Sequence, residues 1–184
     1  MEILTPVETQ HKMTRQDLDH NEFNAYYKNY IELLSKDVSL TDALETGLEK
    51  SMAFYKGIPK EKLQYAYVSG KWTILEILQH VMDTEPIFAY RALCIGRGDQ
   101  TPLPGFEQDD YVLPSKANTR DFVGMLEEYD TIRQASISLF KSLSDDALTT
   151  KGMASGSGLS ARAAGFIICG HDLHHANIIQ ERYL

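Results

Sequence analysis

Residues 72–97, WTILEILQHVMDTEPIFAYRALCIGR, decide the fold class. Ile74, Ile77, Leu78, Val81, Phe88, Ala92 and Ile95 fall at the three- and four-residue steps that line one face of an α-helix. These 26 residues make a helix of roughly 39 Å at 1.5 Å per residue. Pro86 lies inside it and cannot donate to the carbonyl of Met82, which predicts a kink there.

Outward from this stretch the same period returns three times. Upstream, Leu44, Leu48, Met52 and Tyr55 predict a helix that starts near Ser39, with Asp42 in a capping-box-like position, and ends at Gly57 and Pro59. Residues 58–71 read as a connector with a Ser-Gly turn signal before Trp72. Residues 21–34, with Phe23, Tyr26, Tyr27, Tyr30 and Ile31 at helical spacing, predict a short helix lying across the main body. Residues 1–20 read as a polar lead-in.

Downstream, the 20 residues GDQTPLPGFEQDDYVLPSKA (98–117) hold three prolines and two glycines. At ~3.3 Å per residue they reach about 66 Å, enough to cross a bundle end to end. A third helix is predicted from Asn118 or Thr119, with Asp121 in its first turn and Phe122, Met125, Leu126, Tyr129, Ile132, Leu139, Phe140 and Leu143 on its apolar face. GMASGSG (152–158) reads as a loop, and a fourth helix runs from about Ser160 to the end. Four long helices without sustained strand alternation make an all-α four-helix bundle, one domain over residues 21–184.

The composition narrows the function. The chain has 184 residues, 43% of them hydrophobic, enough for a full core without staples. A net charge of −8 argues against a nucleic-acid partner, because phosphate binding needs a clustered Lys/Arg surface. No apolar run approaches the ~18 residues of a membrane span, and MEILTPVETQ is not a signal peptide, so a cytoplasmic protein is expected. Cys94 and Cys169 are too few for a disulfide scaffold and read as thiols. An acidic bundle rich in tyrosine allows a homodimer, though no residue pattern fixes one.

The histidines carry the chemistry. Of six, three fall in HDLHH: His171, His174 and His175. His171 and His175 are four apart, so their imidazoles point at one place, the spacing by which a helix offers two ligands to a divalent metal. His174 stands about 100° round the helix from His175 and reads as a flanking group. Ala164, Ile167, Ile168, Ile178 and Ile179 surround the pair at core spacing, so it faces inward, where unpaired imidazoles cost several kcal/mol. Hydrogen bonding within the core or a shared metal would each satisfy them. His80, beside the semi-polar stripe of Thr73, Ile77, Thr84, Ile87 and Arg91, is the candidate third ligand from a facing helix. His11 and His20 read as surface residues. Glu107–Asp110 read as a solvated loop, Trp72 as a packing anchor and Cys169 as a small buried side chain. No phosphate loop, nucleophile elbow or Cys-x-x-Cys is present.

Several of these residues also form a familiar pattern. Gly70–Ile74, Glu76–His80 with Asp83-Thr84-Glu85, Phe88–Leu93, the loop Leu103–Tyr111, and the ending from Gly170-His171-Asp172-Leu173-His174-His175 to Leu184 occur in the order of the DinB-like superfamily, which residues 21–184 resemble. The resemblance implies an up-down-down-up bundle with the long crossover between helices two and three. It implies a divalent metal, zinc or nickel, on His80, His171 and His175. Characterised members of that superfamily include transferases and isomerases that use bacillithiol or mycothiol, and others are classed as metal-dependent hydrolases. Pro86 departs from its pattern. The expected function is therefore a metal-dependent enzyme that activates a low-molecular-weight thiol for attack on a small electrophile. The alternatives are a hydrolase that activates water and a non-catalytic metal- or ligand-binding module. Thr84 and Arg91, on the His80 side of helix two, are expected to line the substrate pocket, Arg91 either meeting an anionic group or pairing at the surface.

Overall fold

The computed structural model describes residues 12–184. In chain order the helices are α1 (Lys28–Ile31), α2 (Leu40–Lys56), α3 (Ile74–Gly96), α4 (Asp109–Ser115), α5 (Phe122–Ser142), α6 (Asp145–Thr149) and α7 (Ala161–Arg182). Strands β1 (Lys151–Ala154) and β2 (Ser157–Ser160) lie between α6 and α7.

Each long helix starts at a short polar side chain that accepts from an otherwise unpaired N–H of the first turn. Ser39 accepts from Asp42, Thr73 from Glu76, Asp121 from Gly124 and Ser160 from Ala163. At Thr73 the Glu76 carboxylate returns the bond to the Thr73 N–H at 2.8 Å, completing a capping box. Pro86 does not end α3, which runs on to Gly96.

α3 and α2 each pack against both α5 and α7. The side-chain contacts fix the directions. Thr73 Oγ1 donates to Asn118 Oδ1 near the starts of α3 and α5, and Arg133 meets Glu85 further along both, so these two helices run parallel. Tyr183 OH donates to the Trp72 carbonyl, which sets the end of α7 beside the start of α3. Glu45 meets Lys141 while Tyr55 meets Tyr129, so α2 and α5 are antiparallel. The order is up-down-down-up, and the parallel step from α3 to α5 is what the long crossover spans.

Two local expectations change, and two segments gain detail. The third helix begins at Phe122, not 118 or 119, because Asp121 is its cap and Ala117–Thr119 form a separate 3₁₀ turn. The 152–158 segment is a hairpin: Ser155 (φ 52°) and Gly156 (φ 72°) make a two-residue turn of the twist that strands prefer. The crossover contains α4, and Leu103 pairs in parallel with Ala154 of the hairpin. Residues 21–34 hold a 3₁₀ turn (Ala25–Tyr27) running into α1, which lies against α7. Residues 12–20 are tied to the bundle through Thr14, which bridges to Ser39. The rest of the lead-in, with His11, is outside the described residues. No helix among the described residues is long and apolar enough to cross a membrane.

Candidate metal centre

His80 sits two turns into α3, and His171 and His175 lie one turn apart in the middle of α7. Because α3 packs on α7, the three rings converge. Nε2 of His171 lies 2.9 Å from Nε2 of His80 and 3.1 Å from Nε2 of His175. One nitrogen from each ring falls within 4.8 Å of the others. Donors bound to one ion at ~2.1 Å stand roughly 3.0–3.4 Å apart, so these three can hold a metal ion with little movement.

Burial sets their charge state. His80 and His171 are buried, and desolvation pushes His80 down to about 4. Desolvation also lowers His175, to about 3, helped by His80 and His174, and it lowers His171 well below the ordinary imidazole range, with His175 and His80 adding repulsion. Neutral imidazoles keep a lone pair for a metal, which is the form coordination needs.

The surrounding side chains orient the rings. Trp72 packs on His80 with ring centres 4.9 Å apart, and Thr84 Oγ1 lies 3.5 Å from His80 Nδ1. Gly170 lets α1 approach α7 closely, since a Cβ there would stand 2.2 Å from the Tyr30 carbonyl oxygen. That approach brings the Tyr30 ring to 5.5 Å from His171 and 4.9 Å from His174. Burial, followed by Tyr26, raises the Tyr30 phenol, which stays protonated.

Two clefts reach the cluster. One, of about 720 Å³, is lined by Tyr26, Tyr27, Tyr30, Phe88 and Phe106 and touches Thr84 and His171. The other, of about 420 Å³, reaches His174 and His175 between Trp72 and Arg182. Gln108 and Asp109 of the crossover border both.

His80, His171, His175 and Thr84 therefore come together. Arg91 does not join them. It is buried, and its Nη2 donates to the Pro104 carbonyl at 2.8 Å and Ser155 Oγ at 2.9 Å, fastening the crossover to the hairpin instead of pairing at the surface. His174 remains beside the cluster, half-buried, and His20 is exposed next to Asp19. Glu107–Asp110 are exposed as expected, yet three of them border the aromatic cleft. Cys169 is buried, and desolvation pushes its thiol up to about 12.

Sequence reasoning missed a second buried cluster. Asp172 Oδ2 accepts from Ser51 Oγ (2.8 Å), Tyr129 OH (2.7 Å) and Arg133 Nη2 (3.2 Å), while Arg133 Nε donates to Glu85 at 2.8 Å. It also missed the tyrosine wall, whose helical spacing in residues 26–30 reads like a core stripe.

A sequence profile of the DinB superfamily matches residues 43–179. The chain belongs to the DinB superfamily. Among solved structures, this DinB-superfamily chain is similar to YfiT from Bacillus subtilis, described as a probable metal-dependent hydrolase with an unusual four-helix bundle topology. The TM-score is 0.68 at 16% identity, covering 89% of this chain and 90% of that one, a likeness of fold. No curated protein sequence matches the chain.

Proposed function

We propose that this protein is a metal-dependent enzyme acting on a small molecule, with His80, His171 and His175 as the ligands of a divalent ion, zinc or nickel. The observation that carries the proposal is the meeting of three imidazole rings, those of His80 and His171 buried and that of His175 partly so, at the foot of an aromatic cleft. Three protein ligands leave a position open, and an ion so held lowers the pKa of a bound thiol or water toward neutrality.

The first reading is transfer of a low-molecular-weight thiol of the bacillithiol or mycothiol kind. A new S–C bond forms as the bond from that carbon to its leaving group breaks, the leaving group taking the electron pair and the thiol proton passing to solvent. Tyr26, Tyr27 and Tyr30 with Phe88 would hold the electrophile and exclude water around it. Thr84 would hold the His80 ring from its far side. The second reading is hydrolysis, favoured by the likeness to YfiT, with water as the nucleophile.

Elemental analysis of protein purified without an affinity tag tests the common part. Close to one divalent ion per chain is expected, and a metal-free protein that takes up none on titration ends both readings. Turnover of an electrophile panel by the loaded protein, with and without added thiol, separates them. Product formed only with thiol supports transfer, and equal product without it supports hydrolysis.

A further inference from the structure

The two clefts differ in charge. The aromatic cleft carries Glu107 and Asp109 and no cation among its lining residues. The smaller cleft, beside His175, carries Lys71 and Arg182 against Asp109 alone, a net positive lining in a chain of net charge −8. Its other walls include the aromatic rings of Tyr67, Trp72 and Tyr183. Arg182 Nη1 is braced on Tyr67 OH at 3.0 Å, its guanidinium 5.4 Å from the Tyr67 ring, which leaves further N–H groups of the fork for a ligand. Lys71 stands at the turn made by Gly70 (φ 79°), and its ammonium has no acceptor among the described residues. Nearby acid is present as well: Glu181 and Arg182 act on His174 in opposite senses.

A hydrolase needs one organic reactant, and a single cleft would serve it. Here two clefts of opposite charge reach one histidine cluster from either side of Gln108 and Asp109. We infer that the smaller cleft is a recognition subsite for a carboxylate-bearing co-substrate, held by Arg182 and Lys71, while the second reactant enters through the aromatic cleft. This rests on the reading of the histidines as the reactive centre and deepens it, because two separate reactants are what a group transfer requires.

Succinate titrated into the metal-free protein, followed by nuclear magnetic resonance, tests the subsite without depending on any metal. Saturable binding that perturbs His174 and His175 is expected, and the Lys71→Gln/Arg182→Gln double variant should bind at least ~10-fold more weakly, the scale of one charge-assisted hydrogen bond. Glu107→Gln, in the other cleft, should not weaken it. Should the double variant fail to fold, Lys71→Gln alone carries the comparison, since Lys71 is exposed on a turn. Unsaturable binding in wild type, or equal affinity in the cation variants, overturns the assignment. In the cobalt-loaded protein, mercaptosuccinate should give a thiolate-to-cobalt absorption band at lower concentration than 2-mercaptoethanol, and only the mercaptosuccinate response should weaken in the cation variants. Equal responses to the two thiols would also overturn it. Failure to load cobalt, with succinate still bound, would instead count against the metal reading and leave the anion subsite standing.

Discussion

His171 and Asp172 are neighbours in sequence, yet they serve buried polar clusters of opposite construction. His171 joins two other imidazoles, three like groups with Nε2 atoms turned toward one another and a cleft on either side. Asp172, about 100° further round the helix, joins unlike groups drawn from α2, α3 and α5, in which a cation and hydroxyl donors meet carboxylate acceptors. A cluster of complementary groups can set the register of a bundle. One whose members share the same need calls for something from outside. The ionic cluster still leaves Asp172 Oδ1, Glu85 Oε2, Arg133 Nη1 and Tyr55 OH without a partner among the described residues.

The largest effect should come from the ionic cluster. Burial alone would push Arg133 down, but Glu85, Tyr129 and Asp172 outweigh it and keep the guanidinium firmly charged. Arg133→Met removes the one cation and strands two carboxylates in the core. A loss of about 3–5 kcal/mol is expected, read from urea unfolding. A change under 1 kcal/mol would show that the cluster is not the clamp the geometry describes.

The histidine cluster should behave the other way, losing ligand and keeping fold. His171→Ala or His175→Ala should weaken metal binding by more than ~100-fold, beyond the 10–100-fold typical of removing an outer hydrogen-bond partner. Their helical circular dichroism should stay close to wild type. His174→Ala should retain metal within a few-fold. Equal damage at His174, measured against a competing chelator, would mean that the coordinating face of α7 is misassigned.

This contrast also explains what could be read in the chain. His171 and His175 declare themselves because two scarce residues at i and i+4 interrupt an apolar stripe, and the crossover's length matches the parallel step from α3 to α5. Glu85, Arg133 and Asp172 do not, because a single charged residue in a helix usually faces solvent, and only the packing of three distant segments shows that these do not. The hairpin hid for a local reason. Residues 151–160 lack the β-branched and aromatic residues that mark strands, and only the Ser155-Gly156 pair signalled a turn. Tyr26, Tyr27 and Tyr30 have core spacing, but Tyr26 is 64% exposed because the segment is packed beside a cleft and not inside the bundle.

A smaller effect is expected where the wall beside the histidine cluster meets α7. Gly170→Ala drives a methyl group into the Tyr30 carbonyl, which is backbone and cannot rotate away. The cost should be about 1–3 kcal/mol, as for other overpacked sites. Displacing Tyr30 from His171 opens the aromatic cleft while leaving the three histidines in place. Substrate KM should therefore rise more than metal affinity falls. A variant that loses metal as readily as His171→Ala would show that the α1 contact supports the ligands themselves.

The smallest effect sits at the start of α7, where Glu22 forms a third buried polar group, charged like the Asp172 cluster but built on one ion pair. Its carboxylate accepts from Ser160 Oγ at 2.7 Å, Arg162 Nε at 2.8 Å and the Asp19 N–H at 2.9 Å, tying the N-terminal segment to the helix that carries His171. Burial pushes the carboxyl up, but the bonds from Arg162, Asp19 and Ser160 together outweigh it and hold it below the usual carboxylate range. A group depressed in the folded state contributes stability that is present above its unfolded pKa, about 4.3 for Glu, and is lost as pH falls through the folded value. Wild type should therefore exceed Glu22→Gln in stability by about 1–2 kcal/mol near pH 7. The gap should narrow once pH drops below the ordinary carboxylate range. Urea midpoints of the two proteins across pH 3–7 measure it, and a gap that stays constant would mean that the Glu22 charge contributes nothing and that packing alone holds the segment on α7.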